Sequence, residues 1–372
     1  MKRKLISMVL CMAMITAAFT GCTSSDSGSA PASGSSGEAS ASEPANNDKK
    51  DIPILGAGIY SASDNFNSYI GKAISNASNG VFQTNIEDGQ NDQSTQNNQV
   101  DTMIAKGASA IALSVVDVTA APTLIEKCKS AGNIPIIFFN KEILDKQLLA
   151  SYDKVYQVTS TGGDYGANIQ GEEIIKYWKA HPEMDKNKDG KLQLVNLIGD
   201  PGHTATKPRS DAVKKTIEDA GIKVDLLAED TGMWVTATAK DKMDAFVSKF
   251  GDQIECIVGA NDAMALGALS SVEAAGFNKE GAKSKQYIPI FGIDALPEIL
   301  SKIESGEIAG SVLQDSKTQG ECIVKMASNL VNGKDVLDGI SYELEDGSKA
   351  LRIPYKAITL ENLDEAKAAY GN

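Results

Sequence analysis

The stretch Asp185-Lys186-Asn187-Lys188-Asp189-Gly190-Lys191-Leu192-Gln193 places side-chain oxygens at the first, third, fifth and ninth positions of a loop, with glycine at the sixth. Hard oxygens at that spacing suit a hard cation. Calcium loops take their ligands in this order, add a backbone carbonyl at the seventh position (here Lys191) and turn sharply at the glycine. A helix-flanked calcium loop would supply a bidentate glutamate at the twelfth position. Here that position is Asn196, and Leu192, Leu194, Val195, Leu197 and Ile198 around it read as a buried strand. The missing oxygens must come from elsewhere in the chain, and Glu255 is the candidate. The plainer reading is a polar surface turn that holds no ion.

The elements that would carry such a loop follow from hydrophobic patterning. Short β-branched runs at 52–59, 82–86, 110–115, 134–139, 156–159, 192–198, 223–227, 255–258 and 288–293 alternate with longer amphipathic segments. In the segment 94–106, Val100, Met103 and Ile104 share one helical face. The segment 262–275 opens on Asp262 and stops at Gly276, as a helix does. Strands alternating with helices imply parallel sheets with crossover helices. The expected fold is α/β, with two doubly wound parallel-sheet lobes joined by a multi-strand hinge. Nine strands over some three hundred residues divide naturally into two sheets, and Thr159-Ser160-Thr161-Gly162-Gly163 offers a flexible crossing between them. The expected borders are 51–160 plus 314–350 for the first lobe and 161–313 plus 351–372 for the second.

Ligands of such folds bind outside the carboxyl ends of the strands, and the residues found there are informative. Asp64 and Phe66 follow the first strand, and Asn140 follows Phe139. His203 follows Ile198, with Arg209 further on, Asn261 and Asp262 follow Val258, and Asp294 follows Ile293, while Trp234 precedes a helix. The set holds no strong nucleophile–base pair and no phosphate loop. Planar carboxylate, amide and guanidinium groups suit vicinal hydroxyls, and aromatic faces suit the C–H patches of a pyranose. The ligand asked for is a neutral polyol, most simply a monosaccharide. Taken singly, each residue has a plainer explanation, and Asp262 in particular reads as a helix N-cap.

The first 22 residues read as a leader. Lys2, Arg3 and Lys4 precede an apolar core too short to span a membrane, and the segment ends Phe19-Thr20-Gly21-Cys22. This pattern resembles a bacterial lipoprotein signal, with 1–21 removed and Cys22 lipid-modified. Residues 22–50, rich in Ser, Ala, Gly, Pro and Asn, read as a disordered tether. The protein is expected on the extracytoplasmic face of the cell membrane, touching it only through the lipid. Net charge is −13, and the leader carries three cations, so the mature chain is more acidic still; nucleic acid is excluded as a partner. Two histidines leave little room for histidine-based zinc or catalysis. Cys128, Cys256 and Cys322 sit in apolar contexts and read as buried thiols.

At this point the chain resembles the periplasmic galactose/glucose-binding proteins of sugar ABC transporters, within the type I, ribose-like binding-protein superfamily. The resemblance runs from Ile54 to about Tyr355 through long strings: Asp64-Asn65-Phe66, Gln90-Asn91-Asp92-Gln93-Ser94, Phe138-Phe139-Asn140-Lys141-Glu142, Pro201-Gly202-His203, Met233-Trp234, Asn261-Asp262-Ala263-Met264 and Asp294-Ala295-Leu296-Pro297. It implies a sugar ring between Phe66 and Trp234, with hydroxyls held by Asp64, Asn140, His203, Arg209, Asn261 and Asp294. It also implies structural Ca2+ on Asp185, Asn187, Asp189, the Lys191 carbonyl, Gln193 and Glu255. Two positions depart from the family pattern. Ala205 stands where an Asp is common, and Gln314 where an Asn is common. Losing a charge-assisted hydrogen bond at 205 would cost about 1.5–3 kcal/mol unless Gln314 or water compensates.

The resemblance implies a monomeric, non-enzymatic capture protein. It would close on D-galactose or D-glucose and dock on an ABC permease. A pentose, a furanosyl signal, or presentation to a chemotaxis or sensor protein is the alternative. A glycosidase using Asp64 and Asp294 is the remote one.

Overall fold

A computed structural model describes residues 52–370; the leader, Cys22 and the whole of the tether lie outside them. The chain runs β1 (Ile54–Ile59), α1 (Asn65–Ala77), β2 (Gln83–Asp88), α2 (Gln93–Ala105), β3 (Ala110–Leu113), α3 (Ala121–Ser130), β4 (Ile136–Phe139), α4 (Lys146–Ala150) and β5 (Val155–Ser160). It continues through α5 (Gly163–Ala180), β6 (Lys191–Ile198), α6 (Thr206–Asp219), β7 (Lys223–Thr231), α7 (Thr236–Phe250), β8 (Cys256–Gly259), α8 (Asp262–Ala274), β9 (Lys279–Ala282), β10 (Ile290–Phe291), α9 (Pro297–Glu304) and β11 (Ser311–Leu313). The last elements are α10 (Ser316–Val331), β12 (Ala350–Ile353), β13 (Lys356–Ile358) and α11 (Leu363–Tyr370).

Two parallel sheets result, with strand orders β12-β5-β4-β3-β1-β2 and β10-β8-β6-β7. Strands β3, β4 and β8 are buried at every residue, as both-face coverage by helices requires. The edge strands β2 and β7 are the wetter ones. Order reverses between β1 and β3 in the first sheet and between β6 and β8 in the second, so each lobe has a crevice at its carboxyl edge.

The chain passes between the lobes three times: after Ser160, after Leu313 and after Ile353. The third crossing corrects the expected border at 350/351. Strand β12 pairs with β5 of the first sheet, Ala350 against Gln157 through Ile353 against Ser160. The transfer follows it, and β13 pairs antiparallel with β11. Pro354, which lacks an N–H for the ladder, stands at the break.

Candidate functional site

The loops that follow β1, β4, β6, β8 and β10 line one cleft between the lobes, with a cavity of about 360 Å³. Asp64, Phe66, Asn140, His203, Arg209, Trp234, Asn261, Asp294 and Gln314 all face it. Every sugar-site residue expected from the sequence therefore converges.

Each side chain is placed by local structure. Asp64 caps α1, with Oδ1 accepting the Asn67 N–H at 3.0 Å, while Oδ2 accepts the Tyr60 hydroxyl. Asn261, rather than Asp262, caps α8; its Oδ1 accepts the Met264 N–H at 2.9 Å. The N-cap expectation for Asp262 is thus corrected. That carboxylate turns instead to the Leu296 N–H and the Ser311 hydroxyl, at 2.7 and 2.6 Å. Trp234 lies flat against Gly199, where a Cβ would fall 1.9 Å from the indole, so only glycine admits the ring.

His203 is held as one tautomer. The Ala205 N–H donates to Nδ1 at 3.1 Å, so the proton sits on Nε2 and donates to Asn140 Oδ1 at 3.2 Å. Burial, then Lys141 and Arg209, push its pKa well below 6.5. Arg209 donates to the Ala260 carbonyl at 2.6 Å, to Gln314 Oε1 at 2.8 Å and to the Tyr355 hydroxyl at 3.1 Å. Its guanidinium lies 5.5 Å from the Trp234 ring centre. Burial opposes its charge, but Tyr355, Asp294 and Asp64 more than offset it and keep Arg209 cationic. Burial pushes the Asp64 and Asp294 carboxyls up, against the pull of Arg209 on both.

Two features mark this cleft as built for a ligand. Three of its non-glycine residues have backbone φ in the positive region: Asn140 (+63°), Trp234 (+64°) and Asp294 (+123°). Such strain costs on the order of 1–3 kcal/mol per residue and persists only where the surroundings enforce it. Furthermore, among the described residues seven buried side-chain polar atoms lack a partner, and three of them belong to cleft residues: Arg209 Nε, Trp234 Nε1 and Asp294 Oδ2. Buried donors and acceptors left unpaired are costly. Two donors and an acceptor around one cavity match groups that both accept and donate, as hydroxyls do.

The cleft wall also includes residues that the sequence reading missed, Thr159, Ser160 and Tyr355 among them. Tyr355 follows β12, whose Ala350-Leu351-Arg352-Ile353 carries one β-branched residue and a charged Arg and so does not stand out as a strand. Tyr60, which fixes Asp64, does carry a signal: it ends the first strand run four residues before its partner.

The oxygen-rich loop lies away from the cleft. Asp185 Oδ1 and Oδ2 accept the Asp189 and Gly190 N–H groups at 3.1 and 3.0 Å, and Asp189 Oδ1 accepts Lys191 N–H at 2.8 Å. Gly190 turns at φ +71°. Asn196 lies in β6, and its amide donates to Ser210 and Glu229, consistent with a strand in place of the second helix. Glu255, buried at the start of β8, sends its carboxylate back to the loop. Its Oε1 accepts Lys186 N–H at 2.7 Å and its Oε2 accepts Gln193 N–H at 3.1 Å. Burial raises its pKa. Among the described residues no three acidic, His or Cys groups converge as a ready-made metal cluster. Even so, the donor types fit a hard cation: the Asp185 and Asp189 carboxylates fold back on N–H groups of the loop, Glu255 reaches it through Lys186 N–H, and Gln193 Oε1 is buried without a partner.

Two doubly wound lobes, three crossings and a polar, aromatic-walled cleft between them define a two-lobed solute-binding protein. Residues 58–335 match the periplasmic binding protein domain, and the chain belongs to that family. It is 43% identical over 332 residues to the D-galactose/methyl-galactoside binding periplasmic protein of Haemophilus influenzae, covering 88% of this chain and 94% of that one. It is 29% identical over 277 residues to the xylitol-binding protein of Mycolicibacterium smegmatis, covering 74% and 68%. Among solved structures, an ABC transporter solute binding protein from Bacillus halodurans with bound myo-inositol superposes with a TM-score of 0.70 at 27% identity, covering 86% of this chain and 98% of that one.

Proposed function

We propose that this protein captures a monosaccharide, D-galactose or D-glucose, on the extracytoplasmic face of the membrane and delivers it to an ABC importer. The observation that carries the reading is the trio of unpaired buried groups, Arg209 Nε, Trp234 Nε1 and Asp294 Oδ2, around a cleft that Phe66 also lines. The 43% identity to a galactoside-binding relative supports the hexose. Closure of the lobes around the sugar would shift an open–closed equilibrium and present the closed form to the permease. Lipid attachment at Cys22 and a bound Ca2+ on the 185–193 loop with Glu255 belong to the same proposal. When bound, the ion would tie that loop to β8 and stabilise the second lobe.

Titration of Trp fluorescence with galactose, glucose, ribose, arabinose and xylose tests the reading. Saturation by either hexose at micromolar concentration supports it. Silence with both hexoses and a response to a pentose would show that Ala205 and Gln314 have redirected the site.

A further inference from the structure

We infer that Tyr370, Ser311 and Asp262 are positioning residues for ligand capture, bracketing the turn at residues 293–296 so that the Asp294 carboxylate is presented to the cleft. This rests on the reading of the cleft as a sugar site. None of the three lines the cavity.

The turn needs holding. Asp294 and Ala295 are consecutive non-glycine residues at φ +123° and +50°. Rotating the peptide between them would return Ala295 to ordinary backbone and release the strained turn that carries Asp294. That single peptide is pinned at both ends. Its carbonyl accepts the Tyr370 hydroxyl at 2.8 Å and the Gln314 N–H at 3.3 Å. Its N–H donates to Ser311 Oγ at 3.1 Å. Ser311 in turn donates to Asp262 Oδ1 at 2.6 Å, and Asp262 Oδ2 accepts the following N–H, that of Leu296, at 2.7 Å. Gly292 completes the bracket, because a Cβ there would fall 2.1 Å from Asp262 Oδ1.

Asp262 is otherwise unexplained. It is fully buried, forms no ion pair among the described residues, and leaves the capping of α8 to Asn261. An acceptor with two oxygens is what the turn requires: one for Leu296, one to orient the serine that holds Ala295. Tyr370 adds a link that no residue of the cleft could supply. It comes from the last helix, its hydroxyl also lies 3.5 Å from the Gln314 carbonyl, and its ring meets Tyr69 of the first lobe edge-on at 4.9 Å. The C-terminal helix thereby fixes two ligand-facing residues at once.

The test is a double-mutant cycle on the full chain, with D-galactose and D-glucose as probes. Tyr370→Phe and Ser311→Ala should each weaken binding of the sugar that the parent binds by about three- to tenfold, the cost of one lost buried hydrogen bond. In an Asp294→Asn background the same changes should alter affinity by less than about twofold, since both act through that carboxylate. A general loosening of the fold would give the same factor in both backgrounds; that result, or parental affinity in both single variants, overturns the proposal. Amide exchange at Ala295 and Leu296, measured without sugar, gives an independent arm. Faster exchange in Ser311→Ala than in the parent supports the bracket, and unchanged exchange overturns it. Failure of the parent to bind either hexose would sink the sugar reading and leave the exchange result to decide the bracket.

Discussion

His203 spans the cleft to Asn140: its Nε2 donates to the amide oxygen at 3.2 Å while its Nδ1 is occupied by the Ala205 N–H. Both ring nitrogens are therefore spent in the neutral form. A second proton would have to displace the Ala205 bond in a pocket that already faces Lys141 and Arg209.

The consequence is a stability change on the acid side. The folded pKa of His203 lies well below 6.5. As pH falls through about 6.5 the unfolded chain takes up a proton that the folded protein refuses, so stability falls with pH there. His203→Gln, which keeps a donor for Asn140, is expected to lose less thermal stability than the parent between pH 7 and 5.5. Melting curves across that range check it; parallel losses in the two proteins would contradict it.

Asp262 acts with the opposite sign. Burial pushes its carboxyl up to about 7, outweighing the Ser311 and Leu296 hydrogen bonds that favour the charged form. Below about pH 7, and down to about 4, the folded state holds a proton that the unfolded state, with an ordinary aspartate, has lost. Stability contributed by this group therefore rises as pH drops through 7. Asp262→Asn should flatten the alkaline side of the melting profile. A slope from pH 8 to 6.5 equal to the parent's would show that Asp262 is ionised throughout.

Much of this site is legible in the amino-acid sequence, for a physical reason. Parallel sheets deliver the residues after their strands to one edge, so locating strand ends is enough to find Asp64, Asn140, His203, Asn261 and Asp294. Trp234 and Phe66 stand close to those same ends. What patterning cannot reach are features that depend on long-range packing. Asp262 follows a strand and opens a helix, so sequence assigns it a cap, yet its oxygens reach residues 34 and 49 positions away. The strand β12 escapes because Ala350-Leu351-Arg352-Ile353 holds a single β-branched residue and a charged one, and with it go Tyr355 and the true third crossing.

Gly199 offers a sharp steric test of the aromatic wall. Its missing Cβ is the space that the Trp234 indole occupies. Gly199→Ala must push the ring toward the cavity or shift the backbone, and such overpacking costs about 1–3 kcal/mol. The expected outcome is a lower melting temperature together with a large loss of sugar affinity and of the sugar-induced fluorescence change. Retention of parental affinity would mean that the Trp234 ring is not part of the binding surface.

The 185–193 loop should matter for stability and hardly at all for affinity. None of its residues faces the cleft, and Glu255 links it to β6 and β8 through the Gln193 and Lys186 N–H groups. An ion that binds only the folded state stabilises it by about 2.7 kcal/mol at a hundredfold excess over its dissociation constant. Chelation is therefore expected to lower the melting temperature while leaving sugar affinity within about twofold at a temperature where the protein stays folded. Glu255→Gln in excess calcium should reproduce much of the same loss, because a neutral amide is a weaker ligand for a hard cation. A melting temperature indifferent to both chelator and calcium would reduce the loop to a polar turn. A large fall in affinity in the folded, chelated protein would place the ion in the binding mechanism itself.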